Sequence, residues 1–230
     1  MTSVITFDRF LMGYTLGAHI LIVTLSIALA VFVSTFEFLS LRKKDRDYDI
    51  LARKLARALV IFFAVGTASG TVLAVELFTL WPPFMVLIGK VDILPFYYEI
   101  FAFFLETISL VLYVYYWDAF TNRYKHWALS LFVAIGTVMS AVFITMVNAF
   151  MNTPPAGFNI SEYLATGKIT GVNPLAAVAN PSSFIEVSHV TTATFASGAF
   201  VLLGYFAYRY MKNNDASAGR STGRAWSLRP

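Results

Sequence analysis

Residues 95–117, PFYYEIFAFFLETISLVLYVYYW, form an apolar run of 23 positions, long enough to cross a bilayer as a helix. Two carboxylates interrupt it, Glu99 and Glu106. They are seven residues apart, so at about 100° per residue they fall on nearly the same helix face, roughly 10 Å apart along the axis. An ionised carboxylate in hydrocarbon costs several kcal/mol. Glu99 lies near the end of the run and can be read as solvated at the membrane surface. Glu106 lies near mid-span, where that reading fails. A carboxylate kept there implies a polar internal path or a cofactor pocket facing this helix.

The rest of the chain fits a membrane setting. Of its 230 residues, 58% are hydrophobic and 13% charged, about half the charged share of a soluble domain. The net charge of +4 does not point to nucleic acid, because the basic residues sit between apolar spans and report topology instead. With no cysteine, disulfides, thiolate zinc sites and Cys-ligated iron–sulfur clusters are excluded. A metal or haem must be held by His, Met, carboxylate or another chain.

Five apolar segments are expected to be transmembrane helices, at about 10–40, 58–80, 95–117, 127–151 and 184–210. The fold class is therefore all-α, a polytopic membrane helix bundle. The first segment would be about 45 Å long if helical throughout, so it tilts or begins on the surface. No basic region precedes it and its apolar run is too long for a signal peptide. Of the 17 basic residues, 14 fall on one side of this topology, between the first and second spans (Arg42 to Arg57), between the third and fourth (Arg123 and Lys125), and at or after the end of the fifth (Arg209 to Arg229). Arg9, Lys90 and Lys168 fall on the other. That asymmetry places the N terminus outside and the C terminus in the cytoplasm. Trp81, Trp117 and Trp127 mark span ends, where an aromatic belt belongs. Gly66 and Gly70 have the small-xxx-small spacing of closely packed membrane helices. The connection 152–183, with Pro154, Pro155, Pro174 and Pro181, is too long for a simple turn and is expected to fold over the outer face. Residues 1–212 form the membrane domain. The polar tail 213–230 is expected to be disordered and cytoplasmic.

Three histidines are present. His126, beside Lys125 at the start of the fourth span, reads as an interfacial residue without chemistry. His19 and His189 lie within spans, both in the outer half of the proposed topology. Neutral imidazole there can make an interhelical hydrogen bond and nothing more. It can also ligate haem iron, for which it is the commonest protein ligand. Two such histidines at similar depth, with the Glu99 end of the third span near them, favour haem. The aromatics of that span, Phe101, Phe103, Phe104, Tyr113, Tyr115 and Tyr116, suit a flat macrocycle, although ordinary helix packing uses them too. Ser109, Thr137, Ser140 and Asn148 can line a hydrated route with Glu106; each hydroxyl can equally bond its own helix carbonyl. Glu37 is expected to be solvated, and Glu76 either solvated or facing a pocket.

Five local patterns in order resemble subunit I of the cytochrome bd quinol oxidases. They are YTLGAHILIVTLSIALA, GTASGTVLAVELF, EIFAFFLETISLVLYVYYWD, MSAVFITMVNAFMNTPPAGF and EVSHVTTATFASGAFVLLG. The likeness runs from near the N terminus to about Lys212. It implies that His19 is the axial ligand of a haem at the oxygen-reducing site, and His189 one ligand of the low-spin haem b. It implies that Glu99 stands at the high-spin haem pocket, and that Glu106 and Ser140 belong to a proton path rising from the cytoplasm. The implied cofactors are low-spin and high-spin haem b, with haem d as an option. The implied activity is oxidation of quinol near the outer face and reduction of dioxygen to water with cytoplasmic protons, in a prokaryotic cytoplasmic membrane.

Family members run much further, with additional helices after the fifth. The region carrying the quinol loop, the methionine that completes the low-spin haem and a further high-spin-site carboxylate is not in this sequence. The expected partners are lipid, quinol, dioxygen and a second membrane subunit, either subunit II-like or carrying that other half. A second reading is a haem-binding, quinone-linked electron-transfer subunit that does not reduce oxygen. A third, a non-catalytic assembly subunit, is disfavoured because it would keep His19, Glu99, Glu106 and His189 at a cost without a use.

Overall fold

The computed structural model describes residues 2–153 and 157–217. The described regular structure is helical throughout: α1 (Thr2–Lys43), α2 (Arg46–Leu80), α3 (Pro82–Val91), α4 (Ile93–Tyr115), α5 (Arg123–Asn152), α6 (Ile160–Thr166), α7 (Pro174–Val178) and α8 (Ser183–Ser217). Helices α1, α2, α4, α5 and α8 are long and apolar enough to cross a membrane. Helix is the form such segments take, because hydrocarbon offers backbone N–H and C=O groups no partner outside their own helix. The protein is an all-α, multi-pass membrane bundle, as the five apolar segments predict.

Several boundaries differ from the sequence expectation. Helix α1 is continuous over 42 residues, about 63 Å. The second span begins at Arg46 rather than near residue 58. Its first turns carry charge, but Leu51, Ala52, Leu55, Ala56 and Leu59 recur on one face and are buried, so the helix continues beyond its apolar run. Between α1 and α2 the chain reverses at Lys44, in the left-handed region at φ 54. Asp45 caps α2 there, its carboxylate accepting the Asp47 N–H at 2.9 Å. Helix α3 was not anticipated. At ten residues it is too short to span, and it begins on Pro82 and Pro83, where a missing N–H costs nothing.

Two antiparallel hairpins make the bundle. In the first, Thr15 stands opposite Glu76, His19 opposite Ser69 and Gly70, and Ile22 and Val23 against Gly66. In the second, Glu99 meets Ser140, Glu106 lies against Gly136, and Tyr113 meets His126. A Cβ on Gly136 would stand 2.7 Å from the Glu106 amide nitrogen and 2.8 Å from the Ala102 carbonyl oxygen. Only glycine lets α5 approach the α4 backbone this closely. Helices α1 and α5 join the hairpins, and α8 lies against both. Gly198 of α8 sits directly on Ala28 of α1.

One end of the bundle is closed by Ala30, Val33, Leu51, Leu55, Leu59, Leu110, Tyr113, Trp117 and Val133. At the other end, Phe158 and Ala177 of the connection pack on Ile88 and Val91 of α3 and Val147 and Phe150 of α5. The connection thus folds over that end, held by the short helices α6 and α7. Asn159 and Asn173 cap these with their side chains. Pro154 and Pro155 lie outside the described residues. Helix α8 runs to Ser217, and the remainder of the polar tail, 218–230 with Arg220, Arg224 and Arg229, also lies outside them.

Candidate functional site

The α1–α2 seam carries the first group of polar side chains. His19 is half-buried, and its Nδ1 lies 2.9 Å from Ser69 Oγ. Gly70 leaves room for the ring: a Cβ there would be 3.1 Å from His19 Cε1. One turn along α1, Thr15 donates to Glu76 Oε1 at 2.9 Å. Glu76 is therefore not solvated but buried in the seam, and its Oε2 is buried without a partner.

The α4–α5 seam carries the second group. Ser140 donates to Glu99 Oε1 at 3.0 Å. Two turns along α4, Glu106 is buried at 5% exposure with Thr137 beside it. Both carboxylates face α5, as their spacing predicts. Thr137 also back-bonds to the Val133 carbonyl. Ser140 therefore serves Glu99 directly, and Thr137 is the hydroxyl nearest Glu106. Asn148 is not on this route. Its amide donates to Glu186 Oε2 of α8 at 2.7 Å, and Asn152 reaches Glu186 Oε1 at 3.4 Å. The expectation fails because Asn148 lies some three turns of α5 beyond Gly136, the level of Glu106.

His189, one turn along α8 from Glu186, is exposed and makes no hydrogen bond among the described residues. Helices α1 and α8 are the first and last of five spans and run in the same direction. His19 lies nine residues before Ala28 and His189 nine before Gly198, and those two small residues touch. Both histidines are therefore about 13 Å from one crossing point, at matching depth. No hydrogen bond joins either to Glu99 or Glu106 among the described residues. The aromatics of α4 divide: Tyr113 is buried, Phe103 stacks on Phe63 at 5.8 Å, and Phe101 and Phe104 face outward.

The opposite end holds a charge cluster in which Glu37 and His126 depart from the sequence expectation. Glu37 and His126 are both 0% exposed. His126 Nε2 lies 3.0 Å from the Tyr113 carbonyl oxygen, which can only accept, so Nε2 carries a hydrogen. Nδ1 is 2.5 Å from Glu37 Oε1. Arg123 Nη2 reaches Glu37 at 3.6 Å and Asp49 at 2.8 Å, while its Nη1 donates to the Trp117 carbonyl. The His126 ring stacks on Tyr113, with centroids 4.5 Å apart, and Trp117 meets it edge-on. Glu37 is not solvated and His126 is not interfacial, because the two are buried against each other beneath this aromatic lid. At the rim, Arg53 pairs with Asp118 at 2.6 Å and holds that carboxyl below its ordinary range. Glu37 is eighteen residues of α1 from His19, about 27 Å away along the axis.

The donor set fits an iron porphyrin better than a bare ion. Among the described residues no three His, Asp or Glu side chains gather as a metal cluster. A metal at His19 would need most of its ligands supplied with it, as a porphyrin does.

The family model for cytochrome bd terminal oxidase subunit I matches residues 7–227. The chain belongs to this family. It is 40% identical over 204 residues to a Bacillus subtilis (strain 168) protein provisionally named cytochrome bd menaquinol oxidase subunit I, covering 89% of this chain and 45% of that one. It is 31% identical over 198 residues to cytochrome bd ubiquinol oxidase subunit 1 of the same organism, covering 86% and 41%. The bd oxidase structure from Geobacillus thermodenitrificans superposes with a TM-score of 0.85 at 41% identity, over 91% of this chain and 48% of that one. The chain thus spans less than half the length of the curated relatives it matches.

Proposed function

We propose that this cytochrome bd subunit I chain is a haem-bearing part of a terminal oxidase that oxidises quinol and reduces dioxygen to water. The reading places it in the cytoplasmic membrane of a prokaryote, with the His19 end outward and the Glu37 end in the cytoplasm. The observation that carries it is the pairing of two polar seams in one bundle. An imidazole is held on one seam with a ring nitrogen spare, and a carboxylate stair lies on the other. Haem, when bound, supplies the redox couple between quinol and dioxygen. His19 and His189 would each give one axial nitrogen, with His189 turned toward a partner. Low-spin and high-spin haem b suit two such ligands on different helices; haem d at the His19 site rests on the family likeness.

The chain's own residues then do proton work. Reducing dioxygen to water consumes protons as well as electrons, in an interior that excludes bulk water. Glu106 is a proton-holding station at mid-span, buried against Gly136 and Thr137. Glu99 is the next station, and the Ser140 hydroxyl orients its Oε1. Simple electron transfer would need neither. The exposed faces of α4 and α8, including Phe101, Phe104, Phe184 and Phe200, suit cover by lipid and by further membrane protein. That cover is the second subunit and the other half of the oxidase, in this chain or another.

Oxygen consumption with quinol as donor tests the proposal. In the assembled complex, Glu106→Gln should slow turnover about 100-fold or more, as loss of a proton-transfer group does, with haem content within a few tens of per cent of the parent. Unchanged oxygen uptake removes Glu106 from the route. Quinol oxidation that proceeds with an added dye but never with oxygen would select the electron-transfer reading instead.

A further inference from the structure

The α1–α2 seam contains a hydroxyl that the proposed proton and haem chemistry does not use. Ser69 Oγ lies 2.9 Å from His19 Nδ1 and 2.9 Å from the carbonyl oxygen of Gly66. A serine has one hydrogen to give. The Gly66 carbonyl can only accept, so the hydroxyl hydrogen is committed to it. The lone pairs of Ser69 Oγ then face His19, and Nδ1 must be the donor. That fixes the tautomer: Nδ1 carries the hydrogen and Nε2 keeps its lone pair. Nε2 has no hydrogen-bond partner among the described residues, and the absence of a Cβ at Gly70 lets the ring lie close to α2.

We propose that Ser69 is the positioning residue for His19. Together with the Gly66 carbonyl, which also acts on His19 directly, it holds the ring in the one tautomer and orientation that presents Nε2 to haem iron. This rests on the reading of His19 as an axial ligand. An imidazole whose distal N–H donates a hydrogen bond is a more basic ligand than one without. Its bond to iron is stronger, and the oxidised metal is favoured. A back-bonding serine in a membrane helix ordinarily serves its own helix alone. Here the same oxygen also serves the neighbouring helix.

Resonance Raman of the reduced holo-complex, reading the iron–histidine stretch, and a redox titration of the haem at His19 test this. Ser69→Ala should lower the stretching frequency, raise the midpoint potential and weaken haem retention about 10- to 100-fold. Ser69→Thr, which keeps the hydroxyl, should restore all three. A role limited to packing would leave the frequency and potential alone, and Ser69→Thr would then have nothing to restore. Should Ser69→Ala fail to assemble, Ser69→Cys decides by the same readings: its weaker acceptor predicts an intermediate frequency, and a parental one overturns the proposal. His19→Ala separates the two levels. If it keeps every haem signal, the ligand reading itself fails. If it loses one while Ser69→Ala shifts neither frequency nor potential, only the role of Ser69 fails.

Discussion

The two ends of the bundle use their histidines in opposite ways. At the Glu37 end every nitrogen of His126 is used within the chain, one on a carboxylate and one on a backbone carbonyl, under Tyr113 and Trp117. At the other end His19 spends one nitrogen on Ser69 and keeps the other, His189 makes no polar contact among the described residues, and Glu76 has a buried oxygen unpaired. The contacts of His126 do structural work within the chain, although Glu37 Oε2, the Tyr113 hydroxyl and Trp117 Nε1 are buried without a partner there too. A ring nitrogen without a protein partner is free for a ligand, and the proposed haem is what would use it. The contrast sets His126 apart from His19 by what each ring nitrogen touches.

Breaking the closed end should produce the largest change in stability. Glu37→Ala strands His126 Nδ1 in a fully buried site and removes one of the three polar contacts of Arg123, and should destabilise the fold by about 3–5 kcal/mol. Thermal unfolding in detergent checks this, and a loss under 1 kcal/mol would mean that the pair is no lock. Next comes the α4–α5 seam, on which both ends depend. Gly136→Ala drives a methyl into the Ala102–Glu106 backbone and should cost about 1–3 kcal/mol. It should also slow oxygen uptake by moving Glu106, whereas a stability loss with full turnover would detach the carboxylate from this contact.

A pH-dependent effect concerns Asp92, between α3 and α4 beneath the folded-over connection. It is fully buried, neither of its carboxylate oxygens has a partner, and burial pushes it up to about 7. Its folded value lies above its unfolded one, so the folded state holds the extra proton. Stability should therefore fall as pH rises from about 4 to about 7, then level off. Asp92→Asn should flatten that slope and raise the melting temperature more at pH 8 than at pH 5. An equal gain at both would show that Asp92 is paired in the assembled complex.

Much of this was legible in the sequence. Apolar runs of about twenty residues announce membrane helices without knowledge of their neighbours. The Glu99–Glu106 spacing put both carboxylates on one face, and the Gly66–Gly70 spacing marked a close helix contact. What failed depended on partners far along the chain. Glu37 looked solvated and His126 interfacial because their common partner lies 89 residues away in sequence. Asn148 was grouped with Glu106 because both are polar and mid-chain, although Asn148 belongs to Glu186. Glu186 carried a signal that went unused, a carboxylate one helical turn before His189. Ser69 gave none, since a serine in a membrane helix usually bonds only its own backbone. Helix α3 was missed for its shortness, and the first turns of α2 because the Leu51–Leu59 stripe runs beneath a dense charge pattern.

The most direct measurement compares His19→Ala with His126→Ala in the assembled complex, by reduced-minus-oxidised haem spectra and thermal unfolding together. The account predicts that His19→Ala removes a haem signal and lowers the melting temperature by no more than stripping haem from the parent does. It predicts that His126→Ala lowers the melting temperature and keeps the full spectrum per assembled complex. The reverse pattern, or a full haem spectrum in both variants, would contradict it.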